Sequence, residues 1–291
     1  MLTHLPLALL LLTLVCTGGR AQDFSTVQHL GREHIRVETR AATYLYDPVA
    51  GGFSSILDPD GNDWVAYKDQ PWGKYPASAA SSYRGLPNLV FGGEDDGAGH
   101  PGHSQMTSQV SGNQILSQSK SGKWRWAWTF DRRGARLDVL QWPADRNYWF
   151  LYEGPAGGSY QPKTTWWATD LTDPSYQIPD HYLGGIHRAF YQSMFFGEDQ
   201  SGYVFAMHQV SPDTHRDHIS YLGNEEIGAA DSLDGMVVAG FGRDEGATPL
   251  LNRGEHFYIA ILPAKNIKRN RKALERASAR SLKRLGKQGK R

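Results

Sequence analysis

Between residues 30 and 264, short apolar runs alternate with clusters of Gly, Pro, Asn and Asp, and no sustained helical stripe interrupts them. This pattern constrains the fold more than any other feature. A strand buries one face with a period of two and is bounded by turn residues, whereas an amphipathic helix repeats near 3.6. Candidate strands fall at 53–57, 64–67, 114–119, 123–130, 136–142, 148–153, 189–196, 203–208, 235–242 and 256–261. Asp58-Pro59-Asp60-Gly61-Asn62-Asp63 separates the first two and is expected to turn the chain, Pro presetting one dihedral and Gly supplying a positive one. The 32 Gly and 15 Pro among 291 residues fit many turns. The expectation is an all-β fold: a single antiparallel β-sandwich domain over residues 22–264. The irregular stretch 69–105 exceeds a simple connection, and loops of that length on a rigid scaffold tend to carry function.

Both ends differ from this body. Residues 5–15 are almost unbroken Leu, Ala and Val, followed by Cys16-Thr17-Gly18-Gly19-Arg20-Ala21. This is the layout of an export signal over 1–21, cleaved after Ala21, which places the protein outside the cytoplasm, secreted or periplasmic. Cys16 is the only cysteine, so a disulfide scaffold or a cysteine zinc module is excluded. Beyond residue 21 no apolar run approaches the roughly 18 residues of a spanning helix. The formal charge of +1 conceals a contrast: residues 265–291 carry 12 Lys or Arg and one acid, Glu275, while residues 22–264 carry a net −11. The basic tail 265–291 has good helix formers but few apolar positions. It reads either as a solvated, partly helical extension whose removal leaves the fold intact, or as a tether to an anionic surface.

The segment Gly51-Gly52-Phe53-Ser54-Ser55-Ile56-Leu57-Asp58-Pro59-Asp60-Gly61-Asn62-Asp63-Trp64 resembles the opening hairpin of galactose-mutarotase-like β-sandwich proteins. There one strand ends in a D-x-x-G-N-type turn and its partner enters with an aromatic or apolar residue. The resemblance implies a sandwich and a carbohydrate ligand, and it identifies no specific reaction.

Three clusters carry candidate chemistry. In Trp124-Arg125-Trp126-Ala127-Trp128-Thr129-Phe130 the aromatic residues share one strand face. Trp124, Trp126 and Trp128 form either the inward face of a half-buried strand or a platform on which sugar rings stack. The glycine-rich stretch from Tyr83-Arg84-Gly85 through Glu94 to His100-Pro101-Gly102-His103 lets backbone approach a ligand closely, and Arg84 can clamp a carboxylate through two hydrogen bonds. Tyr83, Glu94, His100 and His103 are candidate substrate contacts there, and Glu153, at a strand end before a glycine loop, is another. His187 and Tyr191 share a face, while Arg188 on a strand points the other way. An Arg neutralising a uronate carboxylate, with His or Tyr abstracting the acidified proton, is the chemistry of β-elimination. That assigns catalytic roles to His187, Tyr191 and Arg84. A further polar group, His208, Asp213, His215, Asp217 and His218, lines the same cleft, binds a cation, or is a solvated loop.

No Walker loop, dinucleotide fingerprint, G-x-S-x-G elbow or H-E-x-x-H is present, so phosphoryl transfer, hydride transfer and esterase chemistry lose support. No cofactor is expected, with a divalent cation left as an alternative. The expected partner is a polysaccharide or oligosaccharide. The expected function is lyase-type attack on acidic polysaccharide, the alternative a non-catalytic glycan-binding or cell-surface sandwich.

Overall fold

The computed structural model describes residues 22–67, 84–89, 99–100, 103–161, 163–181, 184–222, 235–244, 248–266 and 271–288. The candidate export segment, Tyr83 and Glu94 lie outside the described residues. Two antiparallel sheets pack face to face. One has nine strands in the spatial order β1 (Asp23–His29), β2 (Arg32–Glu38), β3 (Thr43–Asp47), β4 (Gly52–Leu57), β5 (Gly85–Asn88), β10 (Phe150–Gly154), β16 (Met236–Phe241), β15 (Asp217–Leu222) and β12 (His187–Ala189). The other has eight: β11 (Thr165–Thr169), β13 (Ser193–Glu198), β14 (Tyr203–Gln209), β17 (His256–Pro263), β9 (Gly134–Gln141), β8 (Arg125–Phe130), β7 (Gln114–Ser119) and β6 (Met106–Ser111). The expected all-β sandwich is the observed architecture.

Inward-pointing aromatic residues hold the sheets together. Phe53 of β4 meets Trp128 of β8 with ring centroids 4.8 Å apart, and Phe150 of β10 stacks on Phe257 of β17 at 4.3 Å. The Nε1 of Trp126 donates to the Tyr46 hydroxyl across the interface, 3.2 Å. Trp124, Trp126 and Trp128 are all fully buried in this core. Their alternation therefore marks the packed face of β8, and no sugar ring can stack on them, which corrects their reading as a binding platform.

Three sequence expectations change. Residues 64–67 do not pair as a strand, because Asp63 captures the backbone: its Oδ1 accepts from the N–H of Ile56, Val65 and Ala66 at 3.1, 3.0 and 2.9 Å. Ala66 takes a left-handed φ of 45°. The run 189–196 is split. Its start belongs to β12 in the nine-stranded sheet and its end to β13 in the other, with Asp170 Oδ1 holding the crossing through the N–H of Gln192 and Ser193, both 3.0 Å. The tail is helical as expected but is not a free extension. Helix α1 (Arg271–Gln288) lies on the outer face of the eight-stranded sheet, with Leu274 at 0% exposure. Leu274, with Ala273 and Ala277, packs on Trp166, Phe195, Ala206, Ala260 and Leu262. Strands β11, β13, β14 and β17 are apolar on both faces, and the helix is what makes that tolerable.

Candidate functional site

The outer face of the nine-stranded sheet carries the densest chemistry among the described residues. Side chains alternate along each strand, so the inward Phe150 and Tyr152 of β10 leave Trp149, Leu151 and Glu153 outward. Likewise Ile219 and Tyr221 of β15 point inward and His218 outward. The ladder aligns Arg188, His218, Gly240, Leu151 and Asn88 in one row across β12, β15, β16, β10 and β5. Gly240 sits in its middle, where a Cβ would lie 2.0 Å from the Phe150 carbonyl oxygen, so that close approach of β16 to β10 requires glycine.

At one end of this face His100 Nε2 lies 3.0 Å from Glu153 Oε2, with the side chains 0% and 2% exposed. Asn88 Nδ2 donates to the same oxygen at 3.3 Å, and Trp149 Nε1 donates to Asn88 Oδ1 at 3.2 Å. His103 packs edge-on against His100 at 5.5 Å. Burial, helped by the neighbouring His100, lowers His103 to about 4. At the other end the Arg243 guanidinium sits 5.6 Å over the Trp149 ring and donates to Nε2 of His218. Burial, then the Arg243 charge, hold His218 well below the ordinary imidazole range. Its Nε2 accepts that hydrogen bond, so the ring is neutral with its proton on Nδ1. His181 is lowered for the same reasons, by burial and then by Arg243 and Arg188. Arg188, His181 and Arg243 are half-buried, whereas Trp149, Glu153, His100 and His218 are buried. The two arginines and His181 are therefore the part of this face that solvent reaches.

This arrangement joins fixed positive charge to neutral imidazoles and a held carboxylate. It can neutralise an anion and move a proton beside it. Among the described residues no three His, Cys, Asp or Glu group as metal ligands.

The residues singled out from sequence divide between places. His100, His103 and Glu153 belong to this face. His187 and Tyr191 do come together, Nδ1 of His187 hydrogen-bonding the Tyr191 hydroxyl, but on the inward side of β12, with the Trp167 ring tilted against His187 at 4.7 Å between centroids. Burial alone lowers His187, with no cation contributing, and burial raises Tyr191. Arg84 is not their carboxylate clamp. It is buried near the inward Tyr152 and Tyr221, and its guanidinium donates to the Gly235 and Ala66 carbonyl oxygens at 2.9 and 3.4 Å. His208 bonds Ser193, and Asp213 accepts from Gln209 and His215, so of that polar group only His218 joins the face. Sequence reasoning gave no role to Asn88, Trp149 or Arg243. The signal that could have placed Trp149 is its parity with Glu153 on one strand.

A groove of about 390 Å³ on the outer face of β6–β9, lined by Gln109, Leu116, Gln118, Arg125 and Leu140 among others, holds no paired acid and base.

No protein-family model matches the chain, and no curated protein matches it. Three solved structures show its similarities. The protein HI1317 is 10% identical, with a TM-score of 0.49, over 82% of this chain and 95% of that one. A TPR-domain containing protein from Parabacteroides distasonis is 11% identical, TM-score 0.49, over 79% of this chain and 47% of that one. A galactose mutarotase-like protein from Lactobacillus casei is 9% identical, TM-score 0.44, over 82% of this chain and 99% of that one.

Proposed function

We propose that this protein is a carbohydrate-active sandwich that takes an acidic sugar on the outer face of the nine-stranded sheet and acts on it by β-elimination. The observation that supports this reading is the contact of Arg243 with the neutral imidazole of His218, one row position from Arg188. A uronate carboxylate bound by the two arginines loses its negative charge, which acidifies the adjacent C5–H. When the carboxylate takes over the Arg243 N–H, Nε2 of His218 is released from its hydrogen bond and takes that proton, the C4–O bond breaks, and the C4–C5 double bond forms. The imidazolium returns the proton to the leaving oxygen. The two arginines also offset locally the acidity of a body with net charge −11 over residues 22–264. The apolar leader at 1–21 supports an extracellular or periplasmic setting, where such polymers occur.

The test is incubation with a panel of uronate-containing and neutral polysaccharides, following the ultraviolet absorbance of the unsaturated product and, separately, new reducing ends. Absorbance with uronate polymers alone is the expected result. Reducing ends without absorbance would replace elimination by hydrolysis. Saturable binding without either product would favour a glycan-binding module, a reading supported by the hydrogen bonds that already hold Glu153 and Asn88 in place.

A further inference from the structure

We infer that helix α1 is an acidic-polysaccharide-binding element, fixed on the face of the sandwich opposite the proposed sugar site. The helix is seated by its apolar edge, Ala273, Leu274 and Ala277. Lys272, Arg276, Arg280 and Lys283 are exposed. At 100° per residue these four fall within an arc of about 80° and run along about 16 Å of the axis. They form one straight cationic stripe directed at solvent. The helix holds a single acid, Glu275, and it is engaged by Arg271 at 3.2 Å. The guanidiniums of Arg276 and Arg280 donate through Nε to the carbonyl oxygens of Lys272 and Arg276, at 2.9 and 3.0 Å, which holds them along the helix. No described carboxylate pairs with any of the four, although the body carries a net −11. Like charges spaced along one face are mutually repulsive and gain from an external polyanion.

The chemistry of the face selects among polyanions. A helix lying on a membrane puts its apolar side into lipid, and here that side is already occupied by the sheet. Single-stranded nucleic acid is gripped by its bases stacking on aromatic side chains, and the exposed described positions of the helix add only Ala279 to the four cations; a duplex, bound through its phosphates alone, is left to the test. A thin, linear anionic glycan needs only a stripe of charge and stays clear of the acidic body. This inference is independent of the elimination reading, because it concerns the opposite face and a different set of residues.

The test compares the full chain with K272Q/R276Q/R280Q/K283Q, which keeps good helix formers, and with the conservative exchange K272R/R276K/R280K/K283R. The probe is dextran sulfate, a polyanion with no uronate carboxylate, so binding to it reports on charge alone. Circular dichroism and thermal unfolding verify that each variant is folded. The neutralised variant should bind about tenfold or more weakly at low salt, with a shallower salt dependence, while the conservative exchange binds as the parent does. Unchanged binding in the neutralised variant would overturn the inference, as would loss of binding in the conservative one. Tighter binding of the parent to phosphatidylserine vesicles or duplex DNA than to dextran sulfate would also overturn it.

Discussion

Arg243 donates a hydrogen bond to Nε2 of His218, so a permanent cation and an uncharged imidazole share one spot on the outer face of the nine-stranded sheet. The relationship sustains itself. The guanidinium charge opposes protonation of the ring, and the unprotonated ring is what accepts the hydrogen bond.

Replacing Arg243 by Gln should move the His218 titration up toward 6.5, while leaving it below that value, since burial is the larger cause of its shift. Nitrogen-15 chemical shifts of the ring followed against pH measure this. An unmoved titration would separate the two groups.

The His100–Glu153 pair is sealed from water, so His100→Ala leaves the Glu153 carboxyl with Asn88 as its hydrogen-bond donor among the described residues and the charge of Arg243 nearby. Breaking a buried pair in this way should cost about 3 kcal/mol, read as a lowered urea midpoint. Replacing both residues by apolar ones of similar volume should recover much of the loss.

Asp217 gives the fold a pH dependence. Burial raises its carboxyl to about 8 although Oδ1 accepts from the Gly242 N–H at 2.6 Å. Oδ2 is buried with no hydrogen-bond partner. In the unfolded chain an Asp titrates near 3.9, so between about 4 and 8 the native state binds more protons than the unfolded state. This group's contribution is therefore fully present below about 4 and is lost as pH rises through about 8. Asp217→Asn should flatten that slope in denaturant titrations and be favoured most, relative to the parent, above pH 8.

Two packing variants separate core from surface. Trp126→Ala should cost about 4 kcal/mol, because the indole is fully buried between the sheets. Leu274→Ala should cost about 2 kcal/mol by loosening α1 from Trp166 and Phe195. A neutral outcome at Leu274, by thermal unfolding, would mean that the helix contributes nothing to the sandwich.

The fold was legible because alternation reports which side of a strand is apolar. It located β8 and its aromatic face, and it placed His187 and Arg188 on opposite faces of β12. It could not say whether an apolar face meets a sheet or a ligand, which depends on the second layer, and so Trp124, Trp126 and Trp128 read as core with a platform left as the alternative. β1, Asp-Phe-Ser-Thr-Val-Gln-His, escaped notice because it is an edge strand with little to bury. Residues 64–67 failed as a strand because one side chain, Asp63, outcompeted the ladder for the backbone. Most of the site was hidden by topology. β5 neighbours β10, and β10 neighbours β16, so Asn88, Glu153 and Arg243 converge from distant parts of the chain. His100, His103 and Glu153 could be named from their own segments, but only the strand order brings them beside Asn88, His218 and Arg243.

The most direct measurement is turnover of a uronate polysaccharide by His218→Gln, Arg243→Gln and Tyr191→Phe, with folding of each variant verified. Proton abstraction at the outer face predicts a fall of at least about 100-fold in kcat/KM for the first two, with Tyr191→Phe close to the parent. Loss of turnover in Tyr191→Phe, with His218→Gln and Arg243→Gln fully active, would contradict the account and return the chemistry to the inward side of β12.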